Sequence, residues 1–144
     1  MNNYKHWQLK TDDNHILWLG LDRQGMPVNS INEEVLDELN GLLHDISQDK
    51  RLIGLVIYSL KNTGFIAGAD VNVISTFENP DKAVSFLQKG LAVFARLEAL
   101  TIPTVALIDG FCMGGGYELA LACTYRIASD AQNTRIGLPE VMLG

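Results

Sequence analysis

Three consecutive glycines, Gly114-Gly115-Gly116, stand directly before Tyr117-Glu118-Leu119-Ala120-Leu121-Ala122. Glycine has no Cβ, so another molecule can approach such a backbone closely, and the first amides of a helix starting there have no intrahelical acceptor. An oxyanion would be stabilised at that point. A second run of small residues, Ala67-Gly68-Ala69-Asp70, follows a buried-strand pattern and makes the Ala69 amide a candidate second donor into the same crevice. Two converging donors make an oxyanion hole, whereas one does not. Taken alone, a glycine triplet is equally accounted for by a tight turn or by close packing of helix on sheet. Asp70 reads most simply as the N-cap of a helix over 71–76. The spacing of Gly110 and Gly114 to Gly116 does not match the dinucleotide pattern G-x-G-x-x-G, and no Gly-Lys-Ser/Thr sequence is present.

Two carboxylates accompany these loops. Glu118 falls in the first turn of the helix after the triplet, where the helix dipole favours an acid whatever its function. Glu140 follows Pro139 after an apolar strand, where an acid can simply start a helix. The helix, strand, polar turn and returning strand between them form an excursion able to bring Glu140 back toward Glu118. Two carboxylates beside an oxyanion hole are a workable general acid/base set. Other chemistries are poorly represented. His6, His15 and His44 have no metal-ligand spacing and read as surface residues, and no metal site is expected. Without a Gly-x-Ser-x-Gly elbow, a serine hydrolase is unsupported. Cys112 and Cys123, eleven residues apart, fit neither a disulfide framework nor a metal spacing and read as buried small hydrophobes.

The elements that must position these residues are those of one α/β-sized domain: 144 residues, 47% hydrophobic and 19% charged. A formal net charge of −6 without a basic run argues against binding nucleic acid through its phosphates. No stretch approaches the ~18 consecutive apolar residues of a membrane span, and the polar N-terminus lacks the core of a signal peptide, so the expected compartment is the cytoplasm. Strands are predicted over 7–10 and 16–22 around Asp12-Asp13-Asn14. Ser30-Ile31-Asn32-Glu33 matches a capping box for a helix that buries Ile31, Val35, Leu36, Leu39, Leu42, Leu43 and Ile46. The run 52–60 reads as a central strand. Asn79-Pro80 opens a long helix with the stripe Phe86, Leu87, Gly90, Leu91, Phe94, Ala95 and Leu97, ending before Pro103. A buried strand over 104–109 then runs into the glycine loop. Two short strands, 125–128 and 135–137, flank a polar turn at 129–134.

In their order along the chain these motifs resemble the crotonase (enoyl-CoA hydratase/isomerase) family. The segments that carry the resemblance are Phe65-Ile66-Ala67-Gly68-Ala69-Asp70, Ile102-Pro103-Thr104-Val105-Ala106 through Gly110 and the triplet to Ala120, and Gly137-Leu138-Pro139-Glu140-Val141 with Leu143-Gly144. Val28-Asn29-Ser30-Ile31 is similar to the family's first loop. The first and last segments, with Tyr125-Arg126-Ile127-Ala128, look most like the branch whose hydratase is the N-terminal domain of a multifunctional fatty-acid β-oxidation protein.

The resemblance implies an α/β, ClpP/crotonase-like fold of repeated ββα units and a coenzyme A thioester as substrate. It implies that the backbone amides of Ala69 and Gly115 hold the thioester oxygen. Glu118 would deprotonate water for attack at C3, and Glu140 would exchange a proton at C2. Val28, Ala67 and Gly68 would meet coenzyme A. No metal or redox cofactor is implied: coenzyme A is part of the substrate, and NAD would serve only a 3-hydroxyacyl-CoA dehydrogenase domain that these residues do not include. Hydratase domains of the family run on past the second glutamate, so residues 1–144 are expected to be the N-terminal part of one, truncated on its C-terminal side, with no second domain. Expected partners are an acyl-CoA thioester, further copies of the chain and, in a full-length context, a thiolase subunit. Three alternatives stand beside hydration. An isomerase can manage with one acid/base group; an acyl-CoA-binding or assembly fragment would not turn over; a Clp-type protease needs a serine–histidine pair that the sequence does not present.

Overall fold

The computed structural model describes residues 3–69 and 79–139. In chain order the elements are β1 (Trp7–Thr11), β2 (Ile16–Leu21), α1 (Glu33–Gln48), β3 (Gly54–Ser59), α2 (Pro80–Glu98), β4 (Thr104–Ile108), β5 (Phe111–Met113), α3 (Gly115–Ala122), β6 (Tyr125–Ala128) and β7 (Arg135–Gly137). The polar turn after β1 is closed by Asp12, whose Oδ1 accepts the amides of Asn14 and Ile16 and whose Oδ2 accepts the Trp18 indole N–H at 2.9 Å. That turn pairs β1 with β2 antiparallel, Trp7 opposite Leu21. From β2 onward every neighbour is parallel, in the order β1-β2-β3-β4-β6. The near-continuous hydrophobicity of β2 and β3 follows from this central placement. Leu17, Leu19, Leu21, Leu55, Ile57, Ala106 and Ile108 share one core with the apolar face of α1.

A second, shorter row runs beside the sheet. β5 pairs with β7 in parallel, and single bridges extend the row through Ile66 with Cys112 and Ile31 with Ala69. From β2 onward, each strand of the main sheet is therefore followed by a short excursion into the second row. This is the expected repeat of two extended segments and a helix.

Local differences from the sequence-based expectations have identifiable causes. The cap of α1 is Asn32, whose side chain accepts the Val35 amide at 2.9 Å, and not Ser30. Ser30 is buried and accepts from the Arg23 guanidinium. Ile31 is held extended by its N–H donating to Gly68 O at 2.8 Å, so its burial comes from the second row rather than from a helical face. Val35, Leu36, Leu39, Leu42, Leu43 and Ile46 form the buried stripe of α1 as anticipated.

His6 is not a surface residue. It is 2% exposed; its Nδ1 accepts the Gln24 amide, and its Nε2 donates to Glu34 at 3.1 Å. Those partners lie far along the chain and leave no local trace. His15 and His44 are exposed, as anticipated.

α2 begins as expected, with the Asn79 side chain accepting the Lys82 amide and Pro80 in the first turn. It buries only Phe86, Val93, Phe94 and Leu97, while Leu87 and Leu91 are 57% and 64% exposed. The described residues offer this helix α1 and α3 as neighbours, and these cover one side of its apolar band. β6 and β7 do not pair with each other; β6 joins the main sheet and β7 joins β5. The turn between them is tied down by Ser129, which donates to Asp109 Oδ1 at 2.7 Å, and by Thr134, whose hydroxyl accepts the Gly110 amide. Cys112 and Cys123 are buried free thiols.

Candidate active site

The glycines of the triplet meet three separate demands. Gly114 caps α3 at φ +53, a left-handed conformation costly for other residues, and its N–H donates to Gly137 O at 3.0 Å. A Cβ on Gly116 would lie 2.6 Å from Ile66 O, so the helix and the 65–69 loop touch backbone to backbone there. Gly115 answers neither need. A Cβ on it would lie 3.4 Å from Ile31 Cδ1 and 3.6 Å from the amide nitrogen of Ala69. The absent side chain leaves open the space between the start of α3 and the Ala69 amide. Tight packing and ligand access thus belong to different glycines of one motif.

The 65–69 loop is fixed from the other side. Gly68 adopts φ +113, its carbonyl accepts the Ile31 amide, and a Cβ on it would lie 3.1 Å from Met113 O. The Ala67 amide donates to Asn29 O at 2.8 Å. These constraints deliver Ala69 to Gly115.

Ala69, Gly115 and Glu118 line one cavity of about 230 Å³. Among the described residues its remaining wall is Ile31 and Leu36 together with Phe86, Leu87, Gly90, Leu91 and Phe94. Among these described lining residues Glu118 is the one that titrates. The first-turn amides of α3 carry the positive end of the helix dipole. Chemically, the arrangement offers amide donors for an oxygen on which negative charge develops, a carboxylate near them, and an apolar channel. The exposed Leu87 and Leu91 of α2 are cavity wall.

Val28 and Ala67 line a separate crevice of about 20 Å³ with Asn29, Thr63, Gly64, Phe65 and Phe111. Gly68 joins the two places through the backbone. Glu140 and Asp70, with the helix expected after it, lie outside the described residues. A larger groove of about 560 Å³ runs between β1 and the C-terminal half of α1, with Asp45 and Asp49 in its lining, and contains neither glycine loop. Among the described residues no group of three or more His, Cys, Asp or Glu is placed to hold a metal ion. No helix among them is long and apolar enough to cross a membrane.

A family model described as enoyl-CoA hydratase/isomerase matches residues 12–144. The chain is 40% identical over 144 residues to the fatty acid oxidation complex subunit alpha of Vibrio vulnificus and 42% identical to that of Shewanella frigidimarina. Each match covers the whole chain and 20% of the relative, so the chain spans about a fifth of the length of these relatives. The crystal structure of an enoyl-CoA hydratase from Bacillus anthracis superposes with a TM-score of 0.87 at 26% identity, covering 97% of this chain and 53% of that one.

Proposed function

The chain belongs to the enoyl-CoA hydratase/isomerase family, and from that premise we propose that it is the N-terminal part of a hydratase domain that adds water across the 2,3 double bond of a 2-enoyl-CoA thioester. The observation that carries this reading is the meeting of Ala69 and Gly115 at an apolar cavity that also holds Glu118. In the proposed reaction the Ala69 and Gly115 amides donate to the thioester oxygen. Glu118 takes a proton from water as the water oxygen bonds to C3. The electron pair of the 2,3 double bond moves onto the thioester oxygen as an enolate, where the two amides are aimed at the growing charge. Glu140, protonated when the substrate binds, then gives that proton to C2 as the enolate collapses, leaving a 3-hydroxyacyl-CoA, and exchange with water removes the proton from Glu118 and restores the one on Glu140. Coenzyme A enters as part of the substrate, with Val28, Ala67 and Gly68 on its path, and no step calls for a metal or NAD.

The names of the relatives support a place in a fatty acid oxidation complex; the proposal puts that complex in the cytoplasm and its reaction in β-oxidation. Further copies of the chain and a thiolase subunit are the protein partners this reading proposes. The apolar surface at Leu121, Tyr125, Ile127 and Leu138 supports the first of them.

The test is the loss of enoyl-thioester absorbance with crotonyl-CoA, run on the chain and on its longer parent protein beside Glu118→Gln and Glu140→Gln. Each substitution should lower kcat by about 100-fold or more. Full turnover in either variant contradicts the assignment of that residue. Absorbance appearing from a 3-enoyl-CoA, with none lost from crotonyl-CoA, supports an isomerase instead. Saturable acyl-CoA binding without turnover in chain and parent alike supports a non-catalytic binding module.

A further inference from the structure

We infer that Asn29 is the positioning residue of this site, a clamp whose side chain and backbone together hold the Ala69 amide where the substrate oxygen must meet it; the inference rests on the hydratase reading above. Asn29 is 2% exposed. Its Nδ2 lies 2.9 Å from Leu21 O, 2.9 Å from Ser59 Oγ and 3.2 Å from Phe65 O, so two N–H bonds serve the ends of β2 and β3 and the start of the 65–69 loop. Its Oδ1 accepts the Arg23 amide at 2.9 Å. Its own carbonyl accepts the Ala67 amide at 2.8 Å, and two residues further on the Ile31 N–H donates to Gly68 O at 2.8 Å. The residues flanking the Ala69 amide on its N-terminal side are therefore fastened to one short segment, and that segment is fastened to the sheet through one buried amide.

The chemistry of the position selects asparagine. Aspartate would keep the bond from Arg23 but turn two donors into acceptors facing three oxygens. An apolar residue would leave the Leu21 and Phe65 carbonyls buried without this donor. Asn29 lines the crevice of Val28 and Ala67 and not the cavity that holds Ala69, Gly115 and Glu118, so its effect on the Ala69 amide runs through the loop it holds. A donor displaced by about 1 Å from a developing oxyanion loses most of its effect, so release of the clamp should cost about 10- to 100-fold in kcat.

The readout that separates positioning from general stability is optical. A conjugated thioester absorbs at longer wavelength when its carbonyl is polarised, and cinnamoyl-CoA bound at saturation reports that polarisation independently of affinity. The unmutated protein should shift the band to the red, and Asn29→Ala, folded by circular dichroism, should lose most of the shift while still saturating. An undiminished red shift in Asn29→Ala overturns the inference and leaves the hydratase reading intact. Absence of a shift in the unmutated protein at saturation removes that reading, and the inference with it. Should Asn29→Ala not fold, amide hydrogen exchange on the unmutated protein decides. The Ala67 and Ile31 amides should exchange as slowly as the β2–β3 ladder, and fast exchange at both beside a slow ladder overturns the clamp.

Discussion

Gly115 and Gly116 are adjacent, identical in type and in the same helical turn, yet the physics of replacing them differs. A methyl group on Gly116 would have to displace the backbone carbonyl of Ile66 at 2.6 Å and the Ile66 side chain at 2.7 Å, neither of which can move without shifting the loop that carries Ala69. Overpacking against backbone typically costs ~1–3 kcal/mol. A methyl group on Gly115 has the movable Cδ1 of Ile31 as its nearest neighbour, at 3.4 Å, and alanine gains helix propensity over glycine. We expect Gly116→Ala to lower the urea midpoint by an amount corresponding to ~1–3 kcal/mol. Gly115→Ala should leave the midpoint within ~1 kcal/mol of the parent, yet weaken saturation by cinnamoyl-CoA at least tenfold, because its methyl group stands between the two amides. Equal loss of stability in the two variants would contradict this division of labour.

At the level of elements, what was legible in the sequence was what local pattern determines. The cap and first-turn proline of α2, the period of α1 and the apolar run of β3 each encode themselves within a few residues. The second row does not. β5 and β7 are three residues each, too short to display an alternation, and the bridges of Ile31 and Ile66 consist of single residues whose partners lie 38 and 46 positions away. The burial of His6 is hidden for the same reason: its hydrogen-bond partners Glu34 and Gln24 are distant in sequence. The motifs single out Ala69, Gly115 and Glu118 as candidates, and the structure brings them to one cavity; the wall opposite them is not legible, because an apolar stripe does not say which of its residues face a core and which a cavity. Gly90 of α2 shows the difference. It lines the cavity, and among the described residues a Cβ there would meet only Leu36 Cδ1, at 3.9 Å. Gly90→Val should therefore fold, at a helix-propensity change below ~1 kcal/mol, while narrowing the channel. Under the hydratase reading, kcat/KM for a ten-carbon enoyl-CoA should fall at least tenfold relative to that for crotonyl-CoA. An unchanged ratio would place the acyl chain elsewhere.

Across the whole molecule, the groups that couple folding to protons sit at opposite ends of the pH scale. Asp12 is held below the usual carboxylate range by the Trp18 indole and backbone amides, Glu34 by Lys5 and His6, and Asp49 by Arg51. Their folded values lie below the unfolded ones, so the stabilisation is present above about pH 4 and is lost as pH falls through the lowered values. All three are accessible to water, and the acid limb should be shallow. The alkaline limb is different. Burial pushes the Cys112 thiol up to about 12, and burial likewise raises Cys123 to about 11, above an unfolded thiol near ~8.5. Here the folded values are raised, so the contribution is complete below about pH 8.5. Above it the unfolded chain releases two protons that the folded chain retains, and stability falls with rising pH. The limiting slope is about 1.4 kcal/mol per pH unit for each thiol. Across pH 8 to 9.5 the comparison with a variant lacking both thiols isolates this effect; the Asp37 carboxylate holds Lys89 above its usual value. Urea unfolding under reducing conditions should give a midpoint that declines across that range. In Cys112→Ala/Cys123→Ala the midpoint should start lower, because two buried side chains have been trimmed, but should decline more gently. Equal slopes in the two proteins would mean that the thiols ionise in the folded chain as readily as in the unfolded one, and that the packing of β5 and α3 around them is looser than the backbone contact of Gly116 with Ile66 requires.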